Sequence, residues 1–572
     1  MRMIIQFMKD YKKESVLAPL FKMLEAILEL FVPLVVAAII DQGIYHEDRP
    51  YIWLMSLLLF ALALIGLLFS VTAQYFAAKS AVGAATAMRS KLFAHILSFG
   101  YTEMDAIGSS TLITRMTSDI NQVQNGINMV LRLFLRSPFI VFGAMIMAFT
   151  IDVKAALIFV VTIPLLSIVV FTVMAVTRPI YKNVQAALDR ILNITRENLT
   201  GVRVIRAFNR EEGEKQQFVS ANERLTGLQK FAGMISGLTN PLTLVIINLA
   251  IIVLIQAGAV RVNAGSLSQG EVVALYNYLS QILVELIKFA NLIVTITRAL
   301  ASVSRVKDIF DSVPAMEEGE GASCAAGAPA VEFRDVAFRY NEGGEAAISG
   351  ISFQAQPGQT IGIIGGTGAG KTTLINLIPR FYDAESGTVA LFGRDIREYT
   401  FRELRDLVSV VPQKAQLFAG TIRSNLRMGV PDASEEEMEE ALCISQAKEF
   451  VDKKEGRLDA EVEQGGRNLS GGQKQRMTLA RAILKKAPIL IMDDSASALD
   501  YATDARLRQA VQKMPHRPTV FIVAQRASSI LHADQILVLD DGQIVGMGTH
   551  QELLDSCDIY REIYETQYKK EA

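Results

Sequence analysis

The chain has 572 residues, 51% of them hydrophobic, which is too long for one ordinary core and too apolar for a wholly soluble protein. Its 57 basic and 59 acidic residues nearly cancel, which argues against a nucleic-acid partner held by net positive charge. Cys324, Cys443 and Cys557 lie far apart without paired or metal-ligand spacing, and read as separate thiols in a reducing compartment.

The opening "MRMIIQFMKDYKKE" interleaves charges with apolar residues and lacks the continuous apolar core of a cleavable signal. It predicts a short amphipathic helix on the cytosolic membrane face. Six long apolar runs follow. "VLAPLFKMLEAILELFVPLVVAAI" and "YIWLMSLLLFALALIGLLFSVTAQYFAA" flank the loop "DQGIYHEDRP", and "SPFIVFGAMIMAFT" and "AALIFVVTIPLLSIVVFTVMAV" flank "IDVK". "PLTLVIINLAIIVLIQAGAV" and "EVVALYNYLSQILVELIKFANLIVTI" flank "RVNAGSLSQG". Each run is near the roughly 20 residues that cross a bilayer as a helix. Long polar helical stretches, near 78–130 and 178–235, carry Arg89, Lys91, Arg115, Arg190, Arg203, Arg206 and Arg210. The positive-inside tendency places them, and both termini, in the cytosol.

Several ionisable residues lie within or beside these runs. Glu25 and Glu29, and Arg132 and Arg136, are spaced to share helix faces, and Glu285 precedes Lys288 by one turn. The three acids are candidates either for a cavity attractive to cationic amphiphiles or for interhelical ion pairs. Phe60, Tyr75, Phe139, Met145, Met147 and Tyr278 suit an adaptable apolar pocket and ordinary lipid-facing packing equally.

The stretch "SVPAMEEGEGASCAAGAPA", residues 312–330, reads as a linker between a membrane region, 1–311, and a second region, 331–572. There, short β-rich runs alternate with helical stretches: "VEFRDVAFRY", "TIGIIGG", "LVSVVPQ", "PILIMDD", "TVFIVAQ" and "QILVLDDGQIVGMG". The alternation predicts an α/β architecture with a largely parallel sheet.

"GGTGAGKTT" lies between a strand and a helix, and Gly365, Gly370, Lys371 and Thr372 fit a phosphate-binding loop. Backbone N–H groups from Gly365, Gly366, Thr367, Gly368, Ala369 and Gly370 turn toward phosphate oxygens, with Thr373 beside them. Lys371 reaches the outer phosphates, and Thr372 ligates magnesium. Asp493, ending the run "ILIMD", is the matching metal carboxylate. The Tyr340 ring is placed to stack on a base or to pack as core. "LSGGQKQR", with Ser470, Gly471, Gly472 and Gln473 at a helix start, forms a second anion site.

In order, Tyr340, the phosphate loop, "VVPQ" with Gln413, "LSGGQ", the acidic strand and "SALD" ending in Asp500 resemble an ATP-binding cassette (ABC) exporter half-transporter, over nearly the whole chain. The resemblance implies a membrane α-helical domain of six transmembrane helices fused to an α/β P-loop cassette. It implies a multi-pass protein of a bacterial cell membrane, with ATP and Mg2+ as cofactors. Two cassettes then face head to tail, each ATP lying between one chain's phosphate loop and the other's LSGGQ. By position, Gln413 contacts magnesium or the attacking water, and Ser470 to Gln473 touch the partner's ATP. Segments Gly108 to Arg115 and Arg203 to Arg210 correspond to the tips of the coupling helices.

Two positions depart from the family pattern. Asp494 stands where the family has the glutamate that polarises water, and Gln525 where it has the histidine that contacts the γ-phosphate. Losing one methylene shortens reach by roughly 1.5 Å, and a misplacement of about 1 Å costs on the order of 100-fold in rate. Glutamine donates a hydrogen bond but carries no charge. The chain most resembles the degenerate-site subunit of bacterial heterodimeric multidrug exporters. It is expected to bind ATP with little hydrolysis while a second half-transporter fires against its LSGGQ, moving hydrophobic or amphipathic compounds across the bilayer. The alternatives are an ATP-binding regulatory or gating subunit, and a homodimeric lipid or drug exporter.

Overall fold

The computed structural model describes residues 2–325, 327–340, 343–495 and 499–568. The chain divides into two compact units, one of Met1–Leu97 with Ser109–Ser312, the other of Ser98–Gly108 with Val313–Ala572.

Among the described residues, the first unit contains six helices long and apolar enough to cross a membrane: Lys9–Ile44, Arg49–Leu97, Ser109–Ile151, Val153–Thr200, Glu211–Asn263 and Gln269–Asp311. Along Arg49–Leu97, Ala73, Ala77, Ala81, Ala84 and Ala85 are buried, while Trp53, Leu57, Phe60 and Leu64 are exposed. Small residues let this helix approach the first one closely, and the large apolar side chains are left for lipid. The core of the unit gathers Phe159, Leu166, Leu254, Leu275, Leu279 and Ile282. Tyr278 belongs to that core: it is fully buried, and its hydroxyl donates to the Leu30 carbonyl at 2.5 Å, so it is packed rather than pocket-lining.

The acids of the spans are bound to cations. Arg136 donates to Glu285 Oε1 at 2.7 Å and Glu29 Oε2 at 2.6 Å, with Glu25 3.9 Å away. Glu285, 1% exposed, also accepts from Ser137 and Lys288 at 2.8 Å, and Glu25 pairs with Lys22 at 2.5 Å. Of the two readings open in the sequence, interhelical pairing is the one these distances support.

In the second unit, six strands lie in the order Gln543–Gly548, Gln535–Asp540, Thr360–Gly365, Thr519–Val523, Ile489–Asp493, Val408–Val411. All neighbours are parallel except the first pair. Ile361, Ile363, Ile489, Ile491, Phe521, Leu537 and Leu539 pack one face of this sheet. Ile364, Leu490, Met492, Val520, Ile522 and Val538 pack the other, as expected for strands covered on both sides. "VEFRDVAFRY" does not join it. Val331–Phe338 pairs antiparallel with Ile348–Ala355 and Ser386–Leu391 in a separate four-stranded sheet.

Part of the 312–330 stretch is hydrogen-bonded within the second unit: Gly319 N donates to Tyr399 O, Gly321 N to Glu398 O and Ala325 N to Phe392 O. A Cβ on Gly319 would lie 2.3 Å from the Glu398 carbonyl, so only glycine fits that crossing. The short helix Tyr101–Ile107, just before the Gly108 to Arg115 segment, belongs to the second unit. Tyr101 stacks on Phe381 with centroids 4.5 Å apart, and the Tyr382 hydroxyl donates to Asp105 at 2.7 Å. An aromatic ring and a carboxylate make these contacts. Val202–Ala207 is a separate short helix of the membrane unit, with Val204 and Phe208 exposed beside it.

Candidate nucleotide site

Three parallel neighbours converge at their carboxyl ends. Register pairs Val523 with Asp493 and with Ile363, so the loop after Gly365, the acids at 493–494 and the segment after Val523 emerge side by side. This is where open α/β sheets bind ligands. The phosphate loop turns into the helix Lys371–Leu377 at Gly370. Gly370 has φ +91°, and a Cβ there would lie 2.7 Å from the Ala347 carbonyl, so no other residue fits without strain. At Gly366 a Cβ would meet nothing within 4 Å, which leaves an open concavity on the inner side of the loop.

Lys371 folds back onto that loop, donating to Gly365 O at 2.9 Å and Gly366 O at 2.6 Å. Burial pushes its pKa down, against the opposing charges of Asp494 and Asp493. Thr372 Oγ1 lies 3.2 Å from both carboxylate oxygens of Asp493. Asp493 is 6% exposed and Asp494 7%. Burial raises the pKa of both acids, and the neighbouring Asp494 charge raises that of Asp493 further. Two desolvated carboxylates next to a hydroxyl and an open glycine loop fit a divalent cation with its phosphates. Thr372 and Asp493 would hold that ion, with Gln413 at its edge. It would neutralise phosphate charge and orient the outer phosphate oxygens. Among the described residues there is no cluster of three or more His, Cys, Asp or Glu that could hold a metal ion.

Asp494 has φ +44°, and its amide donates to the Val523 carbonyl at 3.0 Å. Its carboxylate accepts from Gln525 Nε2 at 2.9 Å and from the Gln413 side chain. The two departures from the family pattern thus share one hydrogen bond. Gln567, on the terminal helix Asp558–Tyr568, clamps the same segment, donating to Gln525 O and accepting from Ala527 N, both at 2.8 Å. Nothing in the sequence pointed to Gln567.

Tyr340 is 46% exposed rather than buried in the core. Its hydroxyl shares a 3.0 Å hydrogen bond with Thr373, and its ring meets Phe338 and Tyr382 edge-on. Ser470 caps the helix Gly471–Leu484, with Ser470 Oγ accepting from Gln473 N and Gln473 Oε1 from Ser470 N. Ser470 and Gly471 are exposed, which leaves this helix start open to a ligand from outside the chain. Of "SALD", Ser497 and Ala498 lie outside the described residues. Asp500 caps the helix Tyr501–Gln512 through Thr503.

The family model "ABC transporter transmembrane region" matches residues 15–286, and "ABC transporter" matches 348–497. The ABC transporter ATP-binding protein YfiB of Bacillus subtilis is 35% identical, covering 100% of this chain and 99% of its own. The B. subtilis protein named "Putative multidrug export ATP-binding/permease protein YgaD" is 32% identical over 100% and 98%. The ATP-dependent lipid A-core flippase of Escherichia coli O6:K15:H31 is 29% identical over 98% and 96%. A solved bacterial Atm1-family ABC exporter with ATP bound superposes with a TM-score of 0.81 at 23% identity, covering 97% of this chain and 98% of that one. This chain belongs to the ABC transporter family and joins a multi-pass transmembrane region to an ABC-type ATP-binding domain.

Proposed function

We propose that the chain is the degenerate-site half of a heterodimeric exporter of hydrophobic or amphipathic compounds. Its own phosphate loop holds ATP with magnesium and hydrolyses it little, while its LSGGQ completes a fast site on the partner. One observation carries this reading: the Asp494 carboxylate is bonded to the Gln525 amide at 2.9 Å. A carboxylate acting as base must face a water in line with the γ-phosphate. Here the side chain is one methylene short and turned to two neutral amides, which neither take up nor relay a proton.

A site that binds without turning over still does work in a two-state machine. Moving an equilibrium from 1:99 to 99:1 takes about 5.5 kcal/mol of differential binding. ATP held between Lys371 and Thr372 of this chain and the partner's signature supplies part of that bias through many cycles. Multidrug and lipid export in the names of the relatives YgaD and the lipid A-core flippase supports an amphipathic cargo.

The test is a comparison of two substitutions in the purified pair reconstituted in lipid. Asp494→Asn changes ATP turnover less than about twofold, whereas Ser470→Ala, removing a donor at the partner's phosphate, lowers it on the order of 100-fold. The reverse ranking would show that the fast site is built on this chain's phosphate loop.

A further inference from the structure

An uninterrupted set of contacts leads from the tyrosine beside the phosphate-loop helix to the short helix Tyr101–Ile107. Tyr340 is tied to Thr373 through its hydroxyl, while its half-exposed ring lies edge-on to Tyr382 with centroids 5.3 Å apart. Tyr382 also meets Phe338 at 5.4 Å and Tyr101 at 5.8 Å. Burial raises the Tyr382 pKa, and so does the Asp105 carboxylate, which keeps the phenol a donor at any physiological pH. Its hydrogen bond to Asp105 is 2.7 Å long and charge-assisted, the stronger class of such bonds.

The helix at the far end of these contacts is held on two sides. Phe381 and Tyr382 hold Tyr101 and Asp105, while Glu103 accepts from Ala315 N at 2.8 Å and closes the helix's own first turn through Gly100 N. The chain enters this helix from the membrane helix ending at Leu97 and leaves it into the one starting at Ser109. The short helix is therefore covalently continuous with two membrane helices.

We propose that Tyr382 is a positioning residue that reports occupancy at the Tyr340 ring to the helix Tyr101–Ile107 through its hydrogen bond to Asp105. The inference rests on the reading of Tyr340 as the base-stacking residue. When an adenine settles on the Tyr340 face, the edge contact constrains the Tyr382 ring, and the phenol carries that constraint to the one carboxylate it holds. Tyr382 touches neither phosphate nor metal, so its loss separates binding from response.

The experiment uses the full-length chain with its partner in lipid nanodiscs. The exposed Cys324 and Cys443 are replaced by serine, and a spin label is placed on Thr102→Cys, an exposed position of the short helix. Magnesium ATP changes the label's spectrum in the parent. Tyr382→Phe keeps the ring, removes the donor and reduces the nucleotide-dependent change by about tenfold, the scale of one hydrogen bond to a charged group. Fluorescent-ATP affinity stays within about threefold, because no phosphate contact is lost. Asp105→Ala, at an exposed position that does not threaten folding, has the same effect, and the double variant adds nothing further.

A full spectral response in Tyr382→Phe, additive effects of the two substitutions, or a loss of nucleotide affinity as large as the loss of response would each overturn the proposal. Tyr340→Ala serves as the separate control. Unchanged ATP affinity in that variant would refute the base-stacking reading itself, independently of what the Tyr382 variants do.

Discussion

Gln525 Nε2 donates to Asp494 Oδ2 across 2.9 Å, so the two residues that depart from the family pattern are bonded to each other. Neither substitution stands alone in this site. The Asp494 carboxylate also accepts from the Gln413 side chain, so two amides hold it.

That bond makes restoration a two-residue problem. In a pair whose partner site is disabled, Asp494→Glu with Gln525→His raises hydrolysis on the order of 10- to 100-fold above the parent, the scale of a 1 Å correction in a catalytic constellation. Asp494→Glu alone gains less, because Gln525 still competes for the longer carboxylate. Steady-state ATPase on the single and double variants checks this, and equal rates for the two would break the link.

Gly370 and Gly366 separate folding from binding within one loop. At Gly370 a side chain meets the Ala347 carbonyl in a left-handed backbone, so Gly370→Ala costs about 1–3 kcal/mol and lowers the unfolding temperature without nucleotide. At Gly366 a Cβ meets no protein atom, so Gly366→Ala leaves apo stability within about 0.5 kcal/mol and weakens ATP binding by narrowing the concavity. Thermal scans with and without ATP distinguish the two.

Gln567 holds the segment around Gln525 by two backbone contacts. Gln567→Ala removes both and costs about 1–3 kcal/mol locally. Hydrogen exchange of the Ala527 amide accelerates in that variant, while peptides from Ile489–Asp493 keep their protection.

Inside the membrane unit, Arg136 neutralises Glu285 and Glu29. Arg136→Gln removes one of the two cations that hold buried Glu285, leaving Lys288, and costs about 1–3 kcal/mol. Adding Glu285→Gln recovers a substantial part. Unfolding temperatures in detergent for the single and double variants read this directly.

The glycine loop before its helix, the strand that ends in Asp493 and the six apolar helices were legible in the sequence because each is local. Glycine spacing, a strand that ends in an acid and apolar runs of bilayer length are properties of adjacent residues. What was not legible depends on long-range pairing. Tyr382 and Asp105 are 277 positions apart, and Arg136 and Glu285 are 149 apart, so helical spacing gave the face of each charge but not its partner. The small, polar 312–330 stretch resembles any linker, and only the crossing of Gly319 over Glu398 reveals that part of it is fitted to a surface. The stacking of Tyr101 on Phe381 is likewise a long-range pairing that no local pattern announces.

The central claim is that this chain's own phosphate loop binds ATP without fast turnover. ATPase measured on the purified chain without a partner, beside its Lys371→Ala variant, tests it most directly. The account predicts turnover at least about 100-fold below that of the assembled pair, with ATP binding that Lys371→Ala weakens. Rapid turnover by the chain alone, abolished by Lys371→Ala, would contradict it.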